Sequence, residues 1–197
     1  MKKTLKAALL FALMMAFSIS LAAQTELTGA LGLTFGMNAG TVKSIMQQKG
    51  GIVKSSINGN LSITNVTMGT RKPAMVICKF VNNKLYDIGV YFIPTVEAKT
   101  QELFDEISST IVSKYGEGQS FRHFTGIYTD GDGFEMQAVK LGFADIATYW
   151  SKFLNNNAIG LEIYPLKDNL YVKLTYQDDI LAAESEKQDA TKNNAEF

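Results

Sequence analysis

Met75-Val76-Ile77-Cys78-Lys79-Phe80-Val81-Asn82-Asn83-Lys84-Leu85-Tyr86-Asp87-Ile88-Gly89-Val90-Tyr91-Phe92-Ile93 decides the fold class. Two apolar runs, Met75 to Val81 and Leu85 to Ile93, flank Asn82-Asn83. That dipeptide tolerates the positive φ of a tight hairpin. In the second run Tyr86, Ile88, Val90 and Phe92 share one face, and Asp87, Gly89 and Tyr91 share the other. One apolar face and one wet face is the pattern of an antiparallel sheet covered on a single side.

The same alternation recurs downstream. Ile159, Leu161 and Ile163 alternate with Gly160, Glu162 and Tyr164, and Pro165 to Asn169 turns the chain. Leu170, Val172, Leu174 and Tyr176 then alternate with Tyr171, Lys173 and Thr175. This spacing predicts that Tyr164 and Tyr171 lie side by side on adjacent antiparallel strands. Upstream, Leu61-Ser62-Ile63-Thr64 alternates, and Gly69 to Pro73 makes a turn. Phe121 to Thr129 and Phe134 to Leu141 read as strands around the turn Asp130-Gly131-Asp132-Gly133. Ile146 to Leu154 fits helix or strand, with the aromatics favouring strand.

Two helices stand between these strand sets. Asn38 is placed to cap a helix carrying Val42, Ile45 and Met46 at helical spacing, and Gly50-Gly51 ends it. Pro94 ends the second hairpin strand. From about Thr95, the residues Val96, Thr100, Leu103, Phe104, Ile107, Ile111 and Tyr115 fall on one stripe until Gly116. Glu97 and Glu102 lie near the positive end of its dipole and Lys114 near the negative end. The expectation is an α+β fold: an antiparallel sheet with two helices on one face, in two helix-plus-strands halves at 33–93 and 94–177. Residues 23–32 read as a flexible start. Residues 178–197 carry six acids against two lysines and read as a polar, solvated tail.

The first residues address the protein outward. Lys2, Lys3 and Lys6 precede an apolar stretch from Ala7 to Phe17, and then come small residues through Ala23. This is the layout of a signal peptide with cleavage after Ala22 or Ala23. The apolar run is too short for a membrane span. The single cysteine, Cys78, lies far from that point, so the lipoprotein route is closed and no internal disulfide can form. The localisation expected is periplasmic or extracellular. About 175 residues would remain, enough for one domain. Losing the three lysines takes the formal net charge from zero to about three negative. That excludes nucleic acid and anionic membrane surfaces as natural partners.

The segment Leu33-Thr34-Phe35-Gly36-Met37-Asn38-Ala39-Gly40-Thr41-Val42 resembles the entry to the first helix in small bacterial envelope proteins. Among these are the outer-membrane assembly lipoprotein BamE and the β-lactamase-inhibitor-like folds. The layout as a whole is similar to exported, uncharacterised α+β proteins of Bacteroides-type bacteria. The chain departs from BamE in having no lipidated cysteine and in its greater length. What the resemblance implies is a fold and a compartment.

No motif in the chain names a reaction. Asp130-Gly131-Asp132-Gly133-Phe134-Glu135 invites a calcium loop, but an EF-hand needs a ligand at Phe134, a glycine at Glu135 and a glutamate at Leu141. It reads as a turn. His123 is the only histidine, and a zinc site usually needs two or more His or Cys ligands, so it reads as a surface or packing residue. Gly116-Glu117-Gly118 follows a helix, so it builds no helix N-terminal anion site. No cofactor is expected. Cys78, in an apolar strand, reads as a buried thiol, and Trp150 as core.

The wet faces carry the functional reading. Tyr91, Glu162, Tyr164, Tyr171 and Lys173 point away from the apolar face, with Thr175 beside them. Exposed tyrosines on a rigid sheet bury area with little entropy loss and suit protein or sugar recognition. The same rings also stabilise a sheet as cross-strand neighbours. The expected function is an exported, non-enzymatic envelope protein that binds another protein. A small-ligand or glycan-binding protein comes next, and then a hydrolase without a recognisable motif.

Overall fold

The computed structural model describes residues 25–56 and 58–195, with side chains through 191. The basic start and apolar run at 1–24 lie outside the described residues. Two short strands, β1 (Gly29–Ala30) and β2 (Leu33–Thr34), pair as a small hairpin. An eight-stranded sheet follows, built from β3 (Ile52–Ser55), β4 (Leu61–Thr64), β5 (Met75–Val81), β6 (Lys84–Phe92), β7 (Gln119–Phe124), β8 (Ala144–Trp150), β9 (Ala158–Leu166) and β10 (Asn169–Gln177). The helices are α1 (Ala39–Gln48), α2 (Thr100–Tyr115), α3 (Glu135–Lys140) and α4 (Asp179–Ala195). The fold is α+β.

The sheet order is β3-β4-β5-β6-β10-β9-β8-β7, and every neighbour is antiparallel. Each half is therefore a helix followed by a four-stranded meander. The halves meet where their last strands pair, Val90 opposite Leu174. The hairpin between β5 and β6 closes through Asn82 and Asn83 at φ 48 and 60, the left-handed values a two-residue turn demands.

Strand alternation separates the two faces of the sheet. Ile63, Val76, Cys78, Ile88, Val90, Ile159, Leu161, Val172 and Leu174 join one buried cluster. Val42 and Met46 of α1, Phe104, Ile107 and Ile111 of α2, and Ala138 and Val139 of α3 complete it. The Asn38 side chain caps α1 by accepting from the Thr41 N–H at 2.9 Å. Trp150 is buried within the core, and its Nε1 donates to the Gly116 carbonyl at 2.9 Å. Among the described residues no helix is long and apolar enough to cross a membrane.

Cys78 is fully buried, and burial, with help from the charge of Asp87, pushes its thiol up to about 12. Labelling by a thiol reagent is expected to be slow under native conditions and fast after unfolding. Rapid labelling of the folded chain would disprove the packing.

Three sequence expectations need correction. Phe134 to Leu141 is not a strand: α3 occupies Glu135–Lys140. The Asp132 carboxylate orders the turn before it by accepting from the Phe134 N–H at 2.8 Å, and burial of adjacent Ala138 and Val139 suits a helix turn rather than alternation. The flexible start is anchored at Leu27, which is buried. Its carbonyl accepts from Asn155 Nδ2 at 2.9 Å and Asn157 Nδ2 at 2.7 Å. The acidic tail forms α4 and packs on β5 and β6. Its contacts are mostly polar: Asn82 bonds Glu184 and Gln188, and Ser185 donates to the Tyr86 hydroxyl at 3.2 Å.

Candidate functional site

Opposite the helical core, the sheet presents its second face. Register lines up Met75, Tyr91, Lys173, Glu162 and Ala147 across β5, β6, β10, β9 and β8. Tyr171 pairs with Tyr164 on one side of that row. On the other side Thr175 sits between Gly89 and Gly160, with Tyr149 opposite Gly160. The structure thus gathers all five candidate residues, Tyr91, Glu162, Tyr164, Tyr171 and Lys173, into one patch over the central strands.

Four of the five are half-buried, but Tyr91 is not the exposed ring that alternation suggests. It is only 7% exposed. Tyr164 and Tyr171 meet it edge-on, with centroids at 6.0 and 6.2 Å. Its ring edge also lies over Gly89, where an added Cβ would stand 3.2 Å from Tyr91 Cε2. The Tyr149 ring covers Gly160 in the same way, at 3.4 Å. An aromatic ring laid over a strand glycine restores the packing that the missing side chain forgoes. The glycines therefore set where the rings lie.

Lys173 stands at the centre of the patch. Its Nζ donates to Glu162 Oε1 at 2.6 Å and lies 4.9 Å from the Tyr164 ring centroid and 6.0 Å from that of Tyr91. Burial pulls its pKa down, but the hydrogen bond and charge of Glu162, with Tyr91 and Asp87, more than offset this and hold it above the usual lysine value. The ammonium stays charged over the rings. Burial raises the Tyr91 hydroxyl, against the opposing pull of Lys173.

Asp87 lies beyond Gly89 on the same face and is buried, 4% exposed. Its Oδ2 accepts from Lys79 Nζ at 3.4 Å, while Oδ1 has no hydrogen-bond partner among the described residues. Burial raises its pKa, and Lys79 and Lys173 only partly counter it. The folded state thus holds this proton more tightly than the unfolded chain does. Stability from this group is present at low pH and is lost as the pH rises through the folded pKa. Asp87→Asn is expected to stabilise the protein at pH 7 by about 1 kcal/mol, since a buried carboxylate with one oxygen left without a partner is costly. It should also remove the loss of stability that this group contributes as the pH rises, and so steepen the acid limb of the stability profile. A lower thermal midpoint at pH 7 in the variant would show that the Lys79 contact outweighs the burial cost.

No known family, curated protein or solved structure matches this chain. Its function is therefore argued from its own residues. Alternation puts Asp87, Gly89 and Gly160 on this face but not among the candidate residues, and Tyr149 joins the patch only through the β8–β9 register. The signal available for them was a glycine inside each of two well-formed strands, which marks close approach of another group.

The remaining motifs resolve into structure. The carboxylates of the 130–135 loop are spent on the loop itself. Asp130 takes two hydrogen bonds from the Arg122 Nε and Nη2, which hold its carboxyl below the ordinary range. Asp132 accepts from the Thr129 N–H, and Glu135 from the Gly131 N–H. His123 is exposed, stacked against Phe121 at 6.2 Å on the edge strand β7. Among the described residues no group of three or more His, Cys, Asp or Glu could hold a metal ion.

Proposed function

We propose that this chain is an exported, non-enzymatic envelope protein that binds another protein across the open face of its sheet. The observation that carries the reading is the fixed arrangement of Tyr164 and Tyr171 around buried Tyr91, pinned by the Lys173–Glu162 pair. Rings already held in place lose little entropy on binding, and aromatic anchors beside a desolvated charge pair are where binding energy concentrates. The central strands supply a rigid platform for them. The export part of the proposal is supported by the basic start, apolar run and small residues at 1–23.

Photo-crosslinking tests the reading. A benzophenone amino acid at position 171, in the protein expressed in its native host, is expected to give a discrete adduct on irradiation. The same group in place of Lys187, exposed on α4, is expected to give none. Absence of an adduct at 171, or equal adducts at both positions, would reject the open face as the binding surface.

A further inference from the structure

A second surface feature lies away from the tyrosine patch. A cleft of about 660 Å³ opens between α4, the hairpin joining β5 to β6, and the turn joining β3 to β4. That volume is in the range of small-molecule sites. Its wall is rich in carboxamides: Asn58, Asn60, Asn82, Asn83 and Gln188. Phe80 and Tyr86 add rings, and Ser185 adds a hydroxyl.

Several of these amides are oriented by the fold. Asn83 Oδ1 accepts from the Ala39 N–H at 3.1 Å, Asn60 Oδ1 from the Phe80 N–H at 3.4 Å, and Asn82 Oδ1 from Gln188 Nε2 at 2.9 Å. Tying down the oxygens of Asn83 and Asn60 leaves the NH2 end of each carboxamide to act as a donor, while the NH2 groups of Asn82 and Gln188 are used within the wall, on Glu184 and Asn82. The first N–H of α1 is already spent on Asn83, so the helix start offers that donor to no anion. No lysine or arginine lines the cleft among the described residues, and Asp189, a carboxylate with interactions of its own, is part of the wall, so an anionic ligand would meet a like charge and no counter-charge. The lining is too polar for an apolar one.

Donors and acceptors fixed at short spacing, beside ring faces and without a cation, match one ligand chemistry. Vicinal hydroxyls exchange paired hydrogen bonds with carboxamides, and the C–H face of a pyranose packs on an aromatic ring. We propose that this cleft binds an uncharged, polyhydroxylated ligand, namely a short saccharide. The site is independent of the open-face reading, since it shares no residue with the tyrosine patch. It also gives α4 a use: that helix supplies Ser185 and Gln188, and its polar docking builds one wall.

The test uses the full chain and four neutral disaccharides: cellobiose, maltose, lactose and N,N′-diacetylchitobiose. Saturation-transfer NMR at millimolar sugar is expected to show binding of at least one. Asn58→Ala and Gln188→Ala, both on the rim, should each weaken that sugar about tenfold, as loss of a ligand hydrogen bond does. Their thermal midpoints should hold near that of the parent, which separates loss of binding from loss of folding. The Tyr164→Ala/Tyr171→Ala variant should bind the sugar unchanged. No transfer from any of the four sugars overturns the proposal. So does undiminished affinity in both cleft variants, or loss of sugar binding in the tyrosine variant.

Discussion

Replacing Trp150 with alanine is expected to cost about 3–5 kcal/mol of stability, the range for removing a buried aromatic. The ring is 4% exposed and fills the space between β8 and the chain leaving α2. Three contacts go together. Its Nε1 hydrogen bond to the Gly116 carbonyl is lost, leaving that acceptor short of a partner. Its packing on Gly118, where an added Cβ would lie 2.6 Å from Trp150 Cε2, becomes a void. Its place opposite Ile159 on β9 empties. For a chain of this size the thermal midpoint should fall by about 10 °C. Gly118→Ala probes the same contact from the other side and should also destabilise, because neither the Trp150 ring nor the Thr148 methyl at 2.7 Å has room to move. A midpoint within 2 °C of the parent in Trp150→Ala, about the worth of a surface change, would show that the ring is not an anchor.

The second large effect is on binding. Tyr164→Ala with Tyr171→Ala should weaken partner binding by about 2–4 kcal/mol, as for aromatic hot spots. The stability cost is smaller but real. Each tyrosine makes an edge-on contact with Tyr91, worth about 0.5–1.5 kcal/mol beyond its area. Removing both also uncovers Tyr91, which then becomes an exposed ring over Gly89. Calorimetry of unfolding, set beside affinity capture by the double variant of the partner identified by crosslinking, separates the two effects. A fall of many degrees with partner capture unchanged would mean that the pair is packing and that the binding surface lies elsewhere.

How far the sequence reveals these features depends on the kind of signal. Periodicity finds the strands whose two faces differ, such as Ile159 to Ile163 and Leu170 to Tyr176, and it finds α2, whose stripe is continuous. The Asn82-Asn83 turn is legible because few residues accept two positive φ values in succession. Short α3 is not legible: six residues carry less than two turns of pattern, and the Phe134-Glu135-Met136 stretch reads equally well as alternation. Helix α4 hides for another reason. It docks by hydrogen bonds to Asn82 and Tyr86, and among its described side chains it buries only Ala182, so it shows no apolar stripe.

At the candidate site, alternation says which side of the sheet a residue takes, and register says what lies next to it. Tyr164 opposite Tyr171 follows from a hairpin, whose register the turn fixes. The meeting of Tyr91 with that pair needs the β6–β10 contact, which joins distant parts of the chain. Burial of Tyr91 and Asp87 depends on that contact, and neighbours along the chain give no hint of it. The carboxamide cleft has the same origin, since its walls come from four separate stretches.

That β6–β10 seam also governs when the molecule can become itself. Strand β10 is reached only after two helices and three further strands beyond β6. Until it arrives, β6 is the outermost strand of a half-built meander, with a row of backbone donors and acceptors facing water and open to the wrong neighbour. Pairings between distant residues form slowly, because a long loop must close before they contribute. A nascent or threading chain therefore cannot close its sheet until residues 169–177 have emerged, and the final joining of the halves is an all-at-once event near the end of synthesis or transit. This timing makes β6 the segment most in need of protection until its partner strand arrives.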